Sequence, residues 1–177
     1  ANKRHYGASI STRPEIACIR LEEGHREVDT AVGKRAGEES VVFSLLEKNA
    51  KTYLAFRVPS KTSEAVMGPT AALHDEYGEN FSRIFKTITF DNGREFADSL
   101  GTKAFFAHPY TSWERPQNER RNGLFCAFVP KEASIEVFSD EDTLSAADEL
   151  NGRPRKKLGY HTPEELFDAF LDAVFAA

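Results

Sequence analysis

With 177 residues, 40% of them hydrophobic and 29% charged, the chain can close one core and has the composition of an ordinary globular domain. Its apolar runs are too short for a membrane-spanning helix, and residues 1–20 lack the apolar stretch of a secretory signal. The formal net charge of −5 excludes a uniformly basic nucleic-acid-coating protein.

Residues 1–23 read as an N-terminal arm that adds an edge strand near Ala17–Leu21. From 25 to 33 the residues alternate: His25, Glu27, Asp29 and Ala31 face one way, and Arg26, Val28, Thr30 and Val32 the other. That is the period of a strand, and its polar face reads as a wet face of the sheet. Val41–Leu46 and Tyr53–Val58 are the next two strands, and the short connections imply an antiparallel meander. Ser60 is placed to cap a helix with Glu64 in its first turn, running to about Tyr77 with a kink or break at Gly68-Pro69. Arg83–Phe90 is a fourth strand, Arg94–Leu100 a short helix and Ala104–Ala107 a fifth strand. Pro116 suits the first position of a helix that must stop before Pro130. Thr143–Leu150 is helical, and Thr162-Pro163-Glu164-Glu165 caps a last amphipathic helix with Leu166, Phe167, Phe170, Leu171 and Val174 at helical spacing. Strands and helices in this order give a mixed sheet with helices on its faces.

Cys18 and Cys126 lack metal-type spacing and read as buried or half-buried reduced thiols, which suits the cytoplasm. Charge is segregated along the C-terminal third. Seven acids and no Lys or Arg fall in residues 132–149, while Arg153, Arg155, Lys156 and Lys157 follow without an acid. A polyanion can therefore still find a basic face.

Three acids stand on three separate elements: Asp29 on the alternating strand, Asp91 just past the fourth strand, and Glu119 in the first turns of the Pro116 helix. Each has an everyday reading. Asp29 is a solvent-facing carboxylate, Asp91-Asn92-Gly93 is common turn chemistry, and Glu119 favours a helix N-terminus. Together they are a cage for hard divalent ions and hence for phosphodiester chemistry. Arg115, Asn122 and Gly123 share a helix face with Glu119. In the loop before that helix, His108 and Tyr110 are placed to stack on bases, while Trp113 reads as packed on the core. The Arg153–Lys157 run suits phosphates.

The ordered motifs Gly24-His25 to Asp29-Thr30, Pro59-Ser60-Lys61-Thr62, Phe90-Asp91-Asn92-Gly93, Phe106-Ala107-His108-Pro109-Tyr110, Asn118-Glu119 to Asn122-Gly123 and Arg153-Pro154-Arg155-Lys156 resemble one family. It is the catalytic core of the insertion-sequence-thirty family of bacterial transposases, over roughly Gly24 to Phe167. The resemblance implies an α/β, ribonuclease-H-like fold: a mixed five-stranded sheet, three antiparallel strands then two parallel, flanked by helices. It implies a catalytic core over residues 24–177, with the family's helix-turn-helix region lying N-terminal to it. It implies a catalytic and metal-binding triad of Asp29, Asp91 and Glu119 with two Mg²⁺ or Mn²⁺ ions. DNA contacts then fall at Lys61, Asn92, His108, Tyr110 and Arg115, and also at Asn122, Arg153, Arg155 and Lys156. The implied partners are DNA, as element ends and target, and further copies of the chain assembled on it. Arg26, Val28 and Pro116 depart from the family's usual tryptophan, glycine and glycine, and only 28 positions separate Asp91 from Glu119. A non-catalytic binding domain and a plain metal-dependent nuclease remain the alternatives.

Overall fold

The computed structural model describes residues 8–32, 39–60, 62–90, 101–108, 116–129 and 133–177. Among these, six strands form one mixed sheet: β1 (Ala8–Ser9), β2 (His25–Val32), β3 (Val41–Glu47), β4 (Tyr53–Val58), β5 (Thr87–Phe90) and β6 (Lys103–Phe106). Their order is β1-β6-β5-β2-β3-β4. β2, β3 and β4 make the expected antiparallel meander, with Asp29 opposite Ser44 and Leu46 opposite Tyr53. β5 lies parallel to β2, with Glu27 opposite Thr89, and β6 lies parallel to β5. The five expected strands are present, and β1 adds a sixth at the edge, parallel to β6.

Side-chain alternation sends the two faces of the sheet to two cores. Val28, Val41, Phe43, Leu45, Val58 and Ile88 meet the helices α2 (Ser63–Tyr77), α3 (Phe81–Ile84) and α6 (Pro163–Ala176) through Val66, Leu73, Phe81, Ile84 and Val174. Val42, Leu46, Tyr53 and Ala55 meet α4 (Pro116–Cys126) and α5 (Asp140–Asn151) through Phe125, Ala146, Ala147 and Leu150. β3 is buried along its whole length, as a strand covered on both faces must be. Each fully buried Phe or Leu there contributes about 1.5–3 kcal/mol relative to exposure.

Several boundaries differ from the sequence expectation. Residues 15–19 form the short helix α1 (Glu15–Ile19), started at Pro14 and ended by Arg20 at φ 61°, where an edge strand was expected. Thr62, and not Ser60, caps α2 by accepting the Ala65 N–H. α2 continues through Pro69 without a break. Burial of Val66, Thr70 and Leu73 on either side holds the turn together. The Arg83–Phe90 segment is divided: Phe81, Ile84 and Phe85, three and four apart, are buried as one side of α3 and its end, and the strand starts only at Thr87. α5 begins at Asp140, three residues before the expected start, because Ser139 and Asp142 close a capping box. Both cysteines are exposed. Their neighbours Ala17 and Phe125 take the inward positions on α1 and α4. Among the described residues, no helix is long and apolar enough to cross a membrane.

Candidate active site

Asp29 lies in the second half of β2, an interior strand, on the sheet face that receives α4. Its Oδ1 accepts the Thr30 N–H at 2.8 Å, and its Oδ2 accepts the Asn122 side-chain amide at 2.7 Å. Asn122 Oδ1 in turn accepts the Tyr53 hydroxyl at 2.7 Å and the Ser44 hydroxyl at 3.1 Å. Asn122 is buried, and Tyr53 has no exposed surface. One amide thus ties α4 to β2, β3 and β4. Burial pushes the Tyr53 phenol well above its ordinary pKa, so it stays a hydrogen-bond donor. Phe125, one turn further along α4, packs against the Tyr53 ring with centroids 5.7 Å apart. Glu119 stands three residues before Asn122 on the same helix, a spacing that shares a face.

The polar face of β2 is covered, not wet. His25 and Glu27 are buried. His25 sits 2.9 Å from both Thr87 Oγ1 and Glu22 Oε2. Glu27 pairs with the buried Lys48 at 3.4 Å. Beside them Arg13 donates to Thr89 Oγ1 at 3.0 Å, on the strand next to β2. This overturns the expectation of a solvent-facing strand face, although Asp29 itself remains half-buried. Alternation reports two environments and is silent on which of them is water.

Asp91, Asn92, Lys61, Tyr110, Trp113 and Arg115 lie outside the described residues, as does the expected Arg94–Leu100 helix. Among the described residues, no group of three or more His, Cys, Asp or Glu gathers as a metal site. His108 Nε2 lies 3.2 Å from Ser9 Oγ and 3.4 Å from Ser11 Oγ, against the arm. Arg153 is exposed, pairs with Glu149 at 3.1 Å and lies over the Phe128 ring. Arg155 is half-buried and donates to the Leu150 carbonyl at 3.0 Å, while Lys156 is exposed. The sequence reading missed Tyr53, Ser44 and Arg121. A polar Ser44 inside the apolar run Val41–Leu46 was the available signal, since a hydroxyl there needs a buried partner.

Asp29 on an interior strand of a mixed sheet, bonded to the helix that carries Glu119, defines the class: an α/β, ribonuclease-H-like domain. The catalytic core domain of BIV integrase shares the fold, with a TM-score of 0.61 and 17% identity over 85% of this chain and 97% of that one. No family model matches the chain. By sequence it is 35% identical over 170 residues to the transposase for insertion sequence element IS1086 of Cupriavidus metallidurans, covering 92% of this chain and 48% of the relative. It is 32% identical to the transposase for IS4351 of Bacteroides fragilis, covering 92% and 50%. It is 30% identical to transposase InsI for IS30C of Escherichia coli, covering 92% and 42%. The chain spans about half the length of these curated relatives. Over most of its own length it is a homologue of the insertion-sequence transposases, those of the IS30 family among them.

Proposed function

We propose that residues 24–177 are the catalytic core of a DNA transposase, with residues 1–23 as an arm along its sheet. The reaction is phosphodiester cleavage at element ends, followed by attack of the freed 3′-hydroxyl on target DNA, carried out in the cytoplasm by copies assembled on the DNA. The observation that carries the reading is the Asn122 to Asp29 hydrogen bond, because it docks the helix of Glu119 onto the strand of Asp29. The strand register supports it. Two residues beyond the Glu27–Thr89 pair, β2 reaches Asp29, and β5 ends at Phe90, one position before Asp91 in the sequence. The carboxyl end of β5 thus lies beside the second half of β2, and ligands of α/β sheets gather at the carboxyl ends of strands.

Asp29 fits a hard divalent ion. It is a half-buried carboxylate, and a carboxylate can accept about four hydrogen bonds or ligand contacts in all. An all-carboxylate set suits Mg²⁺ or Mn²⁺ better than zinc. Asp29, Asp91 and Glu119 would hold two such ions. When bound, they supply charge neutralisation at the attacking and leaving oxygens of an in-line displacement. The chain's own residues hold and orient. Thr30 N–H and the Asn122 amide fix the Asp29 carboxylate from two directions. Ser44 and Tyr53 fix Asn122, so that its amide can present only its N–H₂ to Asp29.

The test is nicking and strand transfer by Asp29→Asn, Asp91→Asn and Glu119→Gln, each checked for folding. Loss of both activities in every variant is the expected result. A folded parent that binds DNA and never nicks it makes the chain a binding domain, nicking that survives all three substitutions removes the triad, and nicking without transfer of a pre-cut end makes it a nuclease.

A further inference from the structure

We infer that Arg120 and Arg121 of α4, together with Arg155 in the segment between α5 and α6, form a clamp for backbone phosphates of the DNA strand on which the Asp29 site acts. The inference rests on the DNA-processing reading and adds the place where the strand is gripped.

Arg121 is buried, with 6% of its surface exposed, and its Nη1 is enclosed without a hydrogen-bond partner. Arg155 is half-buried; its Nη2 bonds to a carbonyl, while its Nε is enclosed and unpartnered. Among the described residues, no carboxylate pairs with Arg120, Arg121 or Arg155. Arg153 differs, since Glu149 already neutralises it. Arg155 bonds to Leu150, which packs in the same core as Phe125, one turn along α4 from Arg121. Burial, then Arg153 and Arg120, lower the Arg155 pKa.

A buried cation without a counter-charge costs several kcal/mol, and here like charges add to it. An anion bound from outside would offset that cost. Guanidinium forks match phosphate oxygens in pairs. Three of them, from two elements far apart in sequence, suit a chain of phosphates better than one small anion. Arg121 adjoins Asn122, which holds Asp29.

The experiment is fluorescence anisotropy of a short labelled duplex with the whole chain, without metal, across about 50–200 mM salt. Arg120→Gln/Arg155→Gln should weaken binding by about tenfold and reduce the slope of log affinity against log salt by about 1–2, near 0.9 for each phosphate no longer neutralised. Arg121→Met should reduce the slope as well, and its thermal midpoint should equal or exceed the parent's, because an unpaired buried cation has gone. An arginine with only a structural role would lower the midpoint and leave the slope unchanged. A parental slope in the double variant overturns the clamp. Catalysis is read separately: a chain that loses salt-dependent binding with the clamp but never nicks DNA retains the clamp and loses the transposase reading.

Discussion

Replacing Asn122 by alanine should be the most costly single change near Asp29 that leaves every acid in place. It removes the donor to Asp29 Oδ2 and the acceptor for the Tyr53 and Ser44 hydroxyls. Ser44 keeps a second acceptor in the Asp29 carbonyl at 3.4 Å. The phenol of Tyr53, on a residue with no exposed surface, loses its acceptor. An orphaned buried donor costs about 1–3 kcal/mol and a lost bond to a carboxylate about 1.5–3, so the variant should lose about 2.5–6 kcal/mol in all. Tyr53→Phe by itself should cost only about 1 kcal/mol, because Asn122 Oδ1 keeps Ser44 as donor. In the Asn122→Ala background, Tyr53→Phe should instead restore about 1–3 kcal/mol by removing the orphan. Urea unfolding of the parent, both single variants and the double variant measures this. Additivity within about 0.5 kcal/mol would refute the coupling.

Two further outcomes are expected. Mn²⁺ at tenfold its dissociation constant should stabilise the parent by about 1.4 kcal/mol, a rise of about 3–6 °C in the melting midpoint. Asp29→Asn should abolish that rise, and an equal rise in the variant would remove Asp29 from the metal site. The Glu23 carboxyl is pushed up to about 7 by burial and then by Glu47, against 4.5 for the ordinary group. The folded chain therefore holds this proton more tightly than the unfolded chain. Its stabilising contribution is complete below 4.5 and disappears as pH rises through about 7. Glu23→Gln should match the parent in acid and exceed it in urea melts above neutrality; identical pH profiles would count against the shift.

Much of the sheet was legible because its strands alternate or run apolar between turns: β2, β3 and β4 emerge within a residue or two of the expected bounds. The buried face of β2 was not legible. His25 and Glu27 are buried and partnered by Thr87, Glu22 and Lys48, and no local pattern reveals which distant groups will meet a strand's polar face. The start of α5 was written in Ser139 and Asp142 and was missed because apolar spacing was weighed above the cap. For the site, the sequence offered the shared face of Glu119 and Asn122. The bond from Asn122 to Asp29 spans 93 positions and is a product of the fold alone.

The register of the meander has a consequence for when the site comes into being. Asp29 and Ser44 are paired within β2 and β3, and Tyr53 follows one short turn later, so these contacts need only local loops to close. α4 must cross the intervening chain before Asn122 can arrive, and contacts of such long range form late. The pocket for Asn122 is therefore built first, and α4 docks into it as a finished piece. The Asp29 carboxylate is oriented only at the end of folding, and a partly folded chain carries it without the helix that holds it. Pulsed hydrogen exchange should show β2–β4 amides protected before those of α4.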